Sequence, residues 1–386
     1  MSVTAARGFS ATGAACGIKH EALDLAVLVA DESAATAAVF TRNQAAAAPV
    51  MLNRVSLEKD TAKRAIVINS GCANAGTGAR GMANGRAMAE RLATAIGCGA
   101  DEVLVCSTGT IGPQLPMDLV LEGIDDAAPS IDATPESASL AATAIMTTDS
   151  VPKQSVVEGA GWSVGGMAKG SGMVRPDMAT MLAFITTDAD VDHVSLDDAL
   201  RSAVDVSFNS LNIDGCESTN DTVIAMASGA SGVVPDPTEF TAAMREVCRD
   251  LAHQMAQDAE GASRVVTIEL TGAEDDAQAR ALGRTITDSA LVRSSFYGGD
   301  VNWGRILSAL GTSDISIDPD SITVSYEGVV VFTGGMQAVY NEEALLAGLE
   351  TGDFAISVRL GDGSGNAHIV TTDLTPEYVI FNGERS

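Results

Sequence analysis

The sequence predicts an α/β protein organised as a layered α/β sandwich. Apolar, strand-like runs lie at 25–30, 37–41, 49–56, 65–70, 103–106, 180–187, 222–227 and 264–270. Helical patterns occupy 82–96, 136–147, 194–208 and 236–259. Because strands and helices alternate without the strict repeat of a doubly wound sheet, the layered sandwich is the favoured architecture.

The last of these helical patterns is the clearest, and it precedes a change in the chain. Its apolar residues recur at steps of three and four, at Phe240, Met244, Val247, Leu251 and Met255. This spacing places them on one face of a helix. The pattern then restarts with a helix near 276–290, a further helix and several strands. We therefore predict a catalytic region over 1–275 and a smaller C-terminal α/β domain over 276–386.

The composition indicates a soluble, globular chain. Its 386 residues are 46% hydrophobic but only 4% aromatic, so aliphatic side chains must build the core. A net charge of −28 argues against nucleic-acid and anionic-membrane partners. The six cysteines show no CxxC pair and no regular spacing, which argues against a metal site or a disulfide framework and favours reduced thiols. With neither a signal-like start nor an apolar run of membrane length, we predict a cytoplasmic location.

The sequence gives little support for a hydrolase triad or for a dinucleotide-binding site. The four histidines stand alone in the sequence, and no GxSxG segment is present to anchor a hydrolase triad. A Ser-His-Asp or Cys-His arrangement stays open, since triads assemble from distant positions. The segment "GTGARG", Gly76–Gly81, matches GxGxxG, but it does not directly follow the preceding strand, as a dinucleotide site requires. A non-catalytic binding or oxidoreductase module around this segment is therefore a minor alternative.

Three glycine-containing loops stand out instead. They read "NSGCANAGTG" at 69–78, "CSTGTIG" at 106–112 and "AKGSGM" at 168–173. Glycines allow backbone N–H groups to approach a bound oxyanion or carboxylate closely. The third loop opens the stretch "KGSGMVRPDMATMLAF", which contains the last of only five lysines in the chain. Any one of these loops alone is explained by an ordinary turn, whereas the three together with the lysine favour a site.

These segments resemble the ornithine acetyltransferase family, the glutamate N-acetyltransferases of arginine biosynthesis. The resemblance rests on "CSTGTIGPQLPMD", "AIMTTDSVPK", "KGSGMVRPDMATMLAFITTDA", "STNDTV", "DAEGASR" and "NWGR", in this order along nearly the whole chain. It implies a layered α/β fold like that of N-terminal-nucleophile enzymes and a group of aminopeptidases. It also implies a smaller C-terminal α/β domain.

The resemblance implies that the chain cuts itself between Ala179 and Thr180. The fragments would be 1–179 and 180–386, and Thr180 would be both the nucleophile and a substrate-binding residue. The chemistry agrees with this expectation, because a threonine hydroxyl needs a base. A freed α-amine has a pKa of about 7.7–8 and can accept the hydroxyl proton near neutral pH.

Matching by motif assigns further roles in the first half of the chain. Thr108 and Gly109 correspond to the oxyanion-hole pair, a hydroxyl and a backbone N–H. Thr147 and Lys169 correspond to substrate-binding positions, with the lysine on the carboxylate of the acetylated amino acid.

The second half of the chain supplies three more substrate-binding positions by the same matching. Glu260 corresponds to a carboxylate suited to the amine end of ornithine. Asn382 and Ser386 correspond to C-terminal binding positions, in a tail that is one residue shorter than usual. The chain also departs from the family's usual residues at Cys72, Gly76 and Val301.

The expected reaction transfers acetyl from N2-acetylornithine to glutamate through an acetyl-threonine enzyme. The resemblance implies no metal and no other cofactor, although some members also accept acetyl-CoA as the donor. It implies a heterotetramer with two copies of each fragment. The same-fold alternative is an amidase or aminopeptidase with an N-terminal threonine, in which water takes the acyl group.

Overall fold

The computed structural model describes residues 2–175, 181–350 and 352–384. The chain forms two compact units. The first comprises Met1–Met173, Asp177–Asn209 and Cys216–Met255, and the second comprises Val174–Pro176, Ser210–Gly215 and Ala256–Ser386. The main segment of the second unit therefore begins ahead of the boundary predicted near residue 275. The physical reason is that the strand Val265–Ala273 pairs on both sides with strands of the second unit.

The first unit contains an eight-stranded sheet. Numbered along the whole chain, its strands are β1 (Phe9–Ala14), β2 (Leu25–Phe40), β3 (Ala62–Cys72), β4 (Val103–Thr110), β5 (Lys153–Glu158), β6 (Ser163–Lys169), β7 (Leu182–Thr187) and β9 (Thr222–Ala227). The order across the sheet is β4-β3-β2-β9-β7-β6-β5, and β1 pairs with β2. β7 and β9 thus lie between β2 and β6.

The helices of the first unit pack on this sheet. They are α1 (Ala48–Lys59), α2 (Gly78–Ile96), α3 (Met117–Ala127), α4 (Pro135–Ala144), α5 (His193–Asp205) and α6 (Pro237–Gln257), the last as far as Met255. Leu92 of α2 and Val120 of α3 share a buried cluster with Val67 of β3. α6 packs on β6 so closely that a Cβ at Gly166 would lie 2.8 Å from Cγ1 of Val247.

Local signals fix several helix ends. The side chain of Thr134 accepts a hydrogen bond from the Ser137 backbone N–H at the start of α4, and Pro135 occupies the first turn. Asp192 accepts in the same way at the start of α5. α2 ends at Gly97, whose φ of 75° is the left-handed conformation that glycine adopts without steric cost.

β2 connects two halves of the sheet because its partners change along its length. Residues 25–30 pair with β1, whereas residues 35–40 pair with β9. One buried cluster collects Leu28 from the first half, Phe184 from the second half and the alanines of α4. Both halves of the sheet therefore contribute to one core, against which α4 packs.

The second unit is built on a seven-stranded sheet of order β13-β12-β11-β14-β10-β15-β8. Its strands are β8 (Leu211–Asn212), β10 (Val265–Ala273), β11 (Thr323–Tyr326), β12 (Val329–Thr333), β13 (Met336–Gln337), β14 (Phe354–Arg359) and β15 (Gly365–Thr372). Its helices are α7 (Asp276–Asp288), α8 (Ala290–Tyr297), α9 (Trp303–Leu310), α10 (Glu342–Leu349) and α11 (Pro376–Glu384). Phe296 and Phe354 meet edge to face in its core, with ring centroids 5.8 Å apart.

The strand predicted at 49–56 is wrong, because this segment forms α1. Pro49 suits a first helical turn, where its missing N–H is not needed. Val50 and Asn53 are buried at helical spacing, whereas Met51 and Val55 are exposed. A short apolar run does not distinguish a strand from a helix, which explains the error.

The predicted fold class is confirmed. The first unit is a layered α/β sandwich, and the second is a smaller α/β unit. The predicted strand at 180–187 corresponds to β7 from Leu182 onward, and Thr180 lies outside the described residues. Among the described residues, no helix combines the length and apolarity needed to cross a membrane.

Candidate active site

The glycine-rich stretch connects two paired strands. Lys169 is the last residue of β6, and it lies opposite Leu182 in the antiparallel pairing of β6 with β7. Leu182 is only two positions after Thr180 in the sequence. The chain therefore returns to the neighbourhood of Lys169 directly after the predicted cleavage position, although eleven residues separate Lys169 from Thr180.

Lys169 and Thr108 are brought together. The ammonium Nζ of Lys169 donates a hydrogen bond to Oγ1 of Thr108 over 3.3 Å. Both residues are buried, with 3% and 4% of their surface exposed. Because an ammonium can only donate, Thr108 is the acceptor in this bond and keeps its own proton for another partner. A hydroxyl in this state can donate to an oxyanion.

Gly109 lies next to Thr108 at the end of β4, where no side chain fits. It pairs with Gly71 of β3 in the parallel register. Its φ is +129°, and a Cβ built on it would lie 2.3 Å from the carbonyl carbon of Gly71. Glycine is therefore required here by backbone conformation and by the close approach of the two strands.

Asp149 organises the other predicted residues of this site. Its Oδ1 accepts hydrogen bonds from the Gly170 backbone N–H and from Nζ of Lys153, both over 2.7 Å, and its Oδ2 accepts from the Thr147 backbone N–H over 3.0 Å. Burial alone would raise the pKa of this carboxyl group. The charges of Lys169 and Lys153 outweigh that effect and lower the pKa to about 2. Asp149 is thus a buried carboxylate that joins the Thr147 and Lys169 segments.

Asp221 contacts the residue that follows Thr180 in the chain. Its Oδ1 accepts a hydrogen bond from the Met181 backbone N–H over 3.0 Å. Burial raises the pKa of its carboxyl group well above the ordinary value, against the opposing effect of hydrogen bonds and of the Lys169 charge. Its Oδ2 is buried and lacks a hydrogen-bond partner within the described part of the chain. The backbone just before β7 is therefore held by a buried carboxyl group whose pKa is raised.

Asn220 joins two loops near Thr108 by hydrogen bonds. Its Nδ2 donates to the carbonyl oxygen of Ala73 over 2.7 Å and to that of Ser107 over 2.8 Å. These carbonyls belong to two of the three glycine-containing loops predicted to form a site. The sequence analysis missed Asn220, Asp221 and Asp149, although all three lie in motifs that carry the family resemblance. Their polarity inside otherwise apolar surroundings was the available signal.

The second unit contains Glu260 and Asn382. Nδ2 of Asn382 donates to Oε2 of Glu260 over 3.1 Å, so these two predicted binding residues are brought together with each other. Ala179, Thr180 and Ser386 lie outside the described residues. The roles predicted for all of these residues stay predictions.

The Gly76–Gly81 segment has an internal explanation. Oγ1 of Thr77 donates to the side chain of Asn74, whose Nδ2 donates to the Gly81 carbonyl oxygen. A Cβ at Gly81 would lie 1.9 Å from Oγ1 of Thr77. The third glycine of the motif therefore makes room for the loop's own side chains. In the described part of the chain, no group of three or more His, Cys, Asp or Glu residues has an arrangement suited to a metal ion.

A buried lysine that donates to a threonine hydroxyl, beside a glycine with no room for a side chain, is an arrangement that suits an acyl-transferring class of enzyme. The sequence profile of the ArgJ family matches residues 10–386. The chain belongs to the ArgJ family.

Two curated relatives illustrate this membership. The arginine biosynthesis bifunctional protein ArgJ of Thermobifida fusca is 45% identical over 388 residues, covering 100% of each chain. The protein of the same name from Streptomyces coelicolor is 46% identical over 389 residues, again covering 100% of each. The predicted family is confirmed, and with it an acetyl-transferring enzyme of arginine biosynthesis in preference to the amidase alternative.

Solved structures include the ornithine acetyltransferase of Mycobacterium tuberculosis in complex with ornithine. It is 46% identical in sequence, and the match covers 45% of this chain and 94% of that chain with a TM-score of 0.44. The ArgJ structure from Bacillus halodurans is 40% identical, and the match covers 46% of this chain and 95% of that chain, also with a TM-score of 0.44.

Proposed function

We propose that the chain is a glutamate N-acetyltransferase that moves acetyl from N2-acetylornithine to glutamate. The acetyl group is carried between the two substrates as an ester on Thr180. The proposal requires the chain to cut itself between Ala179 and Thr180, which frees the α-amine of Thr180 to act as the base.

In the first half-reaction, Oγ of Thr180 attacks the acetyl carbonyl carbon of N2-acetylornithine. The α-amine of Thr180 accepts the hydroxyl proton, and Thr108 and Gly109 donate to the developing oxyanion. The C–N bond then breaks, and the leaving nitrogen takes the proton, which releases ornithine and leaves the acetyl ester.

In the second half-reaction, the neutral amine of glutamate attacks the ester carbonyl. The same oxyanion donors serve again, because the tetrahedral intermediate has the same geometry. The α-amine of Thr180 takes a proton from the attacking nitrogen and passes it to Oγ as the bond from the acetyl carbon to Oγ breaks, and N-acetylglutamate leaves. Lys169 holds the α-carboxylate in both steps, and Glu260 receives the side-chain amine of ornithine.

One observation supports this assignment most directly. The Lys169 ammonium donates to Thr108 Oγ1, so the Thr108 proton is directed to another acceptor. The Lys169 ammonium, which would bind a carboxylate, then lies next to the Thr108 hydroxyl, which would donate to the oxyanion. The short distance between these two groups suits an N-acetylated amino acid. In such a substrate the carboxylate and the acetyl carbonyl are close in the molecule. The pairing of β6 with β7 brings the start of β7 to the same place.

Further features belong to the proposal as expectations from the family. The reaction uses no metal and no other cofactor, with acetyl-CoA as an alternative acetyl donor to be tested. The two fragments stay associated, as a heterotetramer with two copies of each. The location is cytoplasmic.

The test follows the fate of a labelled acetyl group. Purified enzyme is given N2-[14C]acetylornithine with and without glutamate, and labelled N-acetylglutamate and acetate are separated and counted. We expect N-acetylglutamate in large excess over acetate, and ornithine release equal to their sum. A parallel reaction with labelled acetyl-CoA measures the second donor. Stoichiometric acetate with little N-acetylglutamate would instead show that water is the acceptor.

A further inference from the structure

Lys19 lies on a loop whose backbone is fixed by one buried carboxylate. Asp24, which is not exposed, accepts three backbone N–H hydrogen bonds. They come from Cys16 over 2.6 Å, from Gly17 over 3.1 Å and from Lys19 over 2.8 Å. Such a clamp holds the loop in one conformation, and the Lys19 side chain therefore leaves the loop from a fixed position.

The Lys19 side chain extends to the site already described. A Cβ built on Gly71 would lie 2.9 Å from Cγ of Lys19, so the aliphatic part of the lysine packs on Gly71. Gly71 is the strand partner of Gly109. At its other end, Nζ of Lys19 donates to the Met146 carbonyl oxygen over 3.0 Å, next to Thr147. The lysine thus spans from the predicted oxyanion loop to a predicted substrate-binding loop.

The charges around Lys19 show that cations are in excess here. Burial lowers the pKa of its ammonium group, Asp24 and Asp149 oppose this effect, and the charge of Lys169 adds to the lowering. Lys19 and Lys169 are therefore close enough to repel each other. Asp149 already holds Lys153 in a direct ion pair. Three of the five lysines of the chain thus share two carboxylates, Asp24 and Asp149, which leaves one positive charge in excess for a ligand to neutralise.

We propose that Lys19 binds the second carboxylate of the acetyl acceptor and thereby selects a dicarboxylic amino acid. The inference rests on the proposed function, in which Lys169 holds one carboxylate. Among the described residues, a single hydrogen bond engages the Lys19 ammonium, which has three donors. Its remaining donors and its charge match the side-chain carboxylate of glutamate. The side-chain amine of ornithine would be repelled, which directs that substrate's far end elsewhere.

The experiment compares two acceptors that differ in one charged group. Processed enzyme is first acetylated with N2-acetylornithine, and the acetyl-enzyme is then mixed with glutamate or with glutamine. Glutamine has the shape of glutamate but lacks the second carboxylate. For Lys19→Met we expect the ratio of kcat/KM for glutamate over glutamine to fall by about 10- to 100-fold, the range expected for one hydrogen bond to a charged group. This ratio is independent of the fraction of enzyme that is folded.

Three comparisons make the result specific. Lys19→Arg keeps the charge and should retain most of the selectivity, whereas Lys19→Gln should lose it as Lys19→Met does. Lys59→Met removes a lysine that is exposed on α1, and the ratio should stay at the wild-type value. An unchanged ratio in Lys19→Met would overturn the proposal, as would an equal loss with both acceptors.

The proposed function can fail separately from this inference. The first step is followed by the burst of ornithine and by the mass of the acetylated fragment. If wild-type enzyme forms no acetyl-enzyme, the proposed function itself is wrong. If acetyl-enzyme forms and Lys19→Met leaves the acceptor ratio unchanged, only the role of Lys19 is wrong.

Discussion

Lys153 and Asp149 form an ion pair of 2.7 Å in which neither side chain is exposed to solvent. The same carboxylate accepts two backbone hydrogen bonds, from Thr147 and Gly170. A carboxylate with this many partners connects the loop after α4, the start of β5 and the end of β6. Its removal should therefore affect stability as well as the site.

Asp149→Asn should lower the free energy of unfolding at pH 7 by about 3–5 kcal/mol, because it removes the carboxylate that forms a buried ion pair with the Lys153 ammonium. The pKa of Asp149 is about 2, against an ordinary 3.8. A depressed carboxyl pKa stabilises the fold above pH 3.8, and that contribution is lost as the pH falls toward 2. The difference between variant and wild type in urea unfolding should shrink over this range.

The control for Asp149→Asn is Asp125→Asn, which removes the carboxylate of an exposed ion pair with Arg91. We expect a loss of about 0–1 kcal/mol for that variant, with little dependence on pH. Equal losses in the two variants would contradict the importance given to burial.

Thr108→Ala should slow acetyl transfer by about 10²- to 10³-fold, the typical effect of removing one oxyanion donor. Thr108→Ser keeps the hydroxyl and should retain most of the rate. Single-turnover acetylation with N2-acetylornithine measures the step directly. Self-cleavage should slow in parallel, because it passes through a similar oxyanion. Full transfer activity in Thr108→Ala would remove this residue from the oxyanion hole.

Gly109→Ala should destabilise the junction of β3 and β4, since the new Cβ meets the backbone of Gly71 at 2.3 Å. The expected result is a clear fall in Tm together with loss of transfer. Gly78→Ala is the matched control. Gly78 also has a positive φ, but a Cβ there meets nothing within 4 Å. If the two variants showed the same fall in Tm, backbone strain alone would explain the effect and the steric argument would fail.

Thr180→Ala should leave one intact chain without transferase activity, because the variant lacks the hydroxyl that attacks the Ala179 carbonyl. Wild-type enzyme should run as fragments of 179 and 207 residues on a denaturing gel, the second being 386 − 179. N-terminal sequencing of the second fragment should read Thr-Met-Leu-Ala-Phe. Thr180→Ser should still process, at an altered rate. A fully active, uncut wild-type chain would contradict the mechanism.

The sequence was informative where one physical signal dominated. The long amphipathic pattern of α6 is confirmed at Pro237–Gln257, close to the predicted 236–259. Helices α2 and α5 are likewise close to their predicted bounds. The segments that became β5 and β6 are absent from the predicted strands. β6 reads "SVGGMAK", and its two central glycines weaken the apolar pattern. Gly166 makes room for Val247 of α6, whereas Gly165 makes room for the backbone of Ser2.

Individual residues of the candidate site could be predicted from the sequence, but their arrangement in space could not. Motif matching selected Thr108, Thr147 and Lys169, which the fold places around one centre. It gave no role to Asp149. The partners of this carboxylate come from three different elements, and only the folded structure brings them together. Lys19 was overlooked for a similar reason, since its contacts to Gly71 and Met146 arise from strand pairing and loop packing at long sequence separation.

The strand order of the sheet in the first unit determines how a cut after residue 179 changes the reversibility of unfolding. β7 and β9 would belong to the second fragment, yet they lie between β2 and β6 of the first. Before the cut, unfolding and refolding are events of a single molecule. After it, the denatured state is two separate chains, and refolding becomes a bimolecular association that dilution opposes. The Tm of the processed enzyme should therefore rise more steeply with protein concentration than that of an uncut chain. Self-cleavage would thus act as a one-way step that fixes a fold only the intact precursor reaches easily.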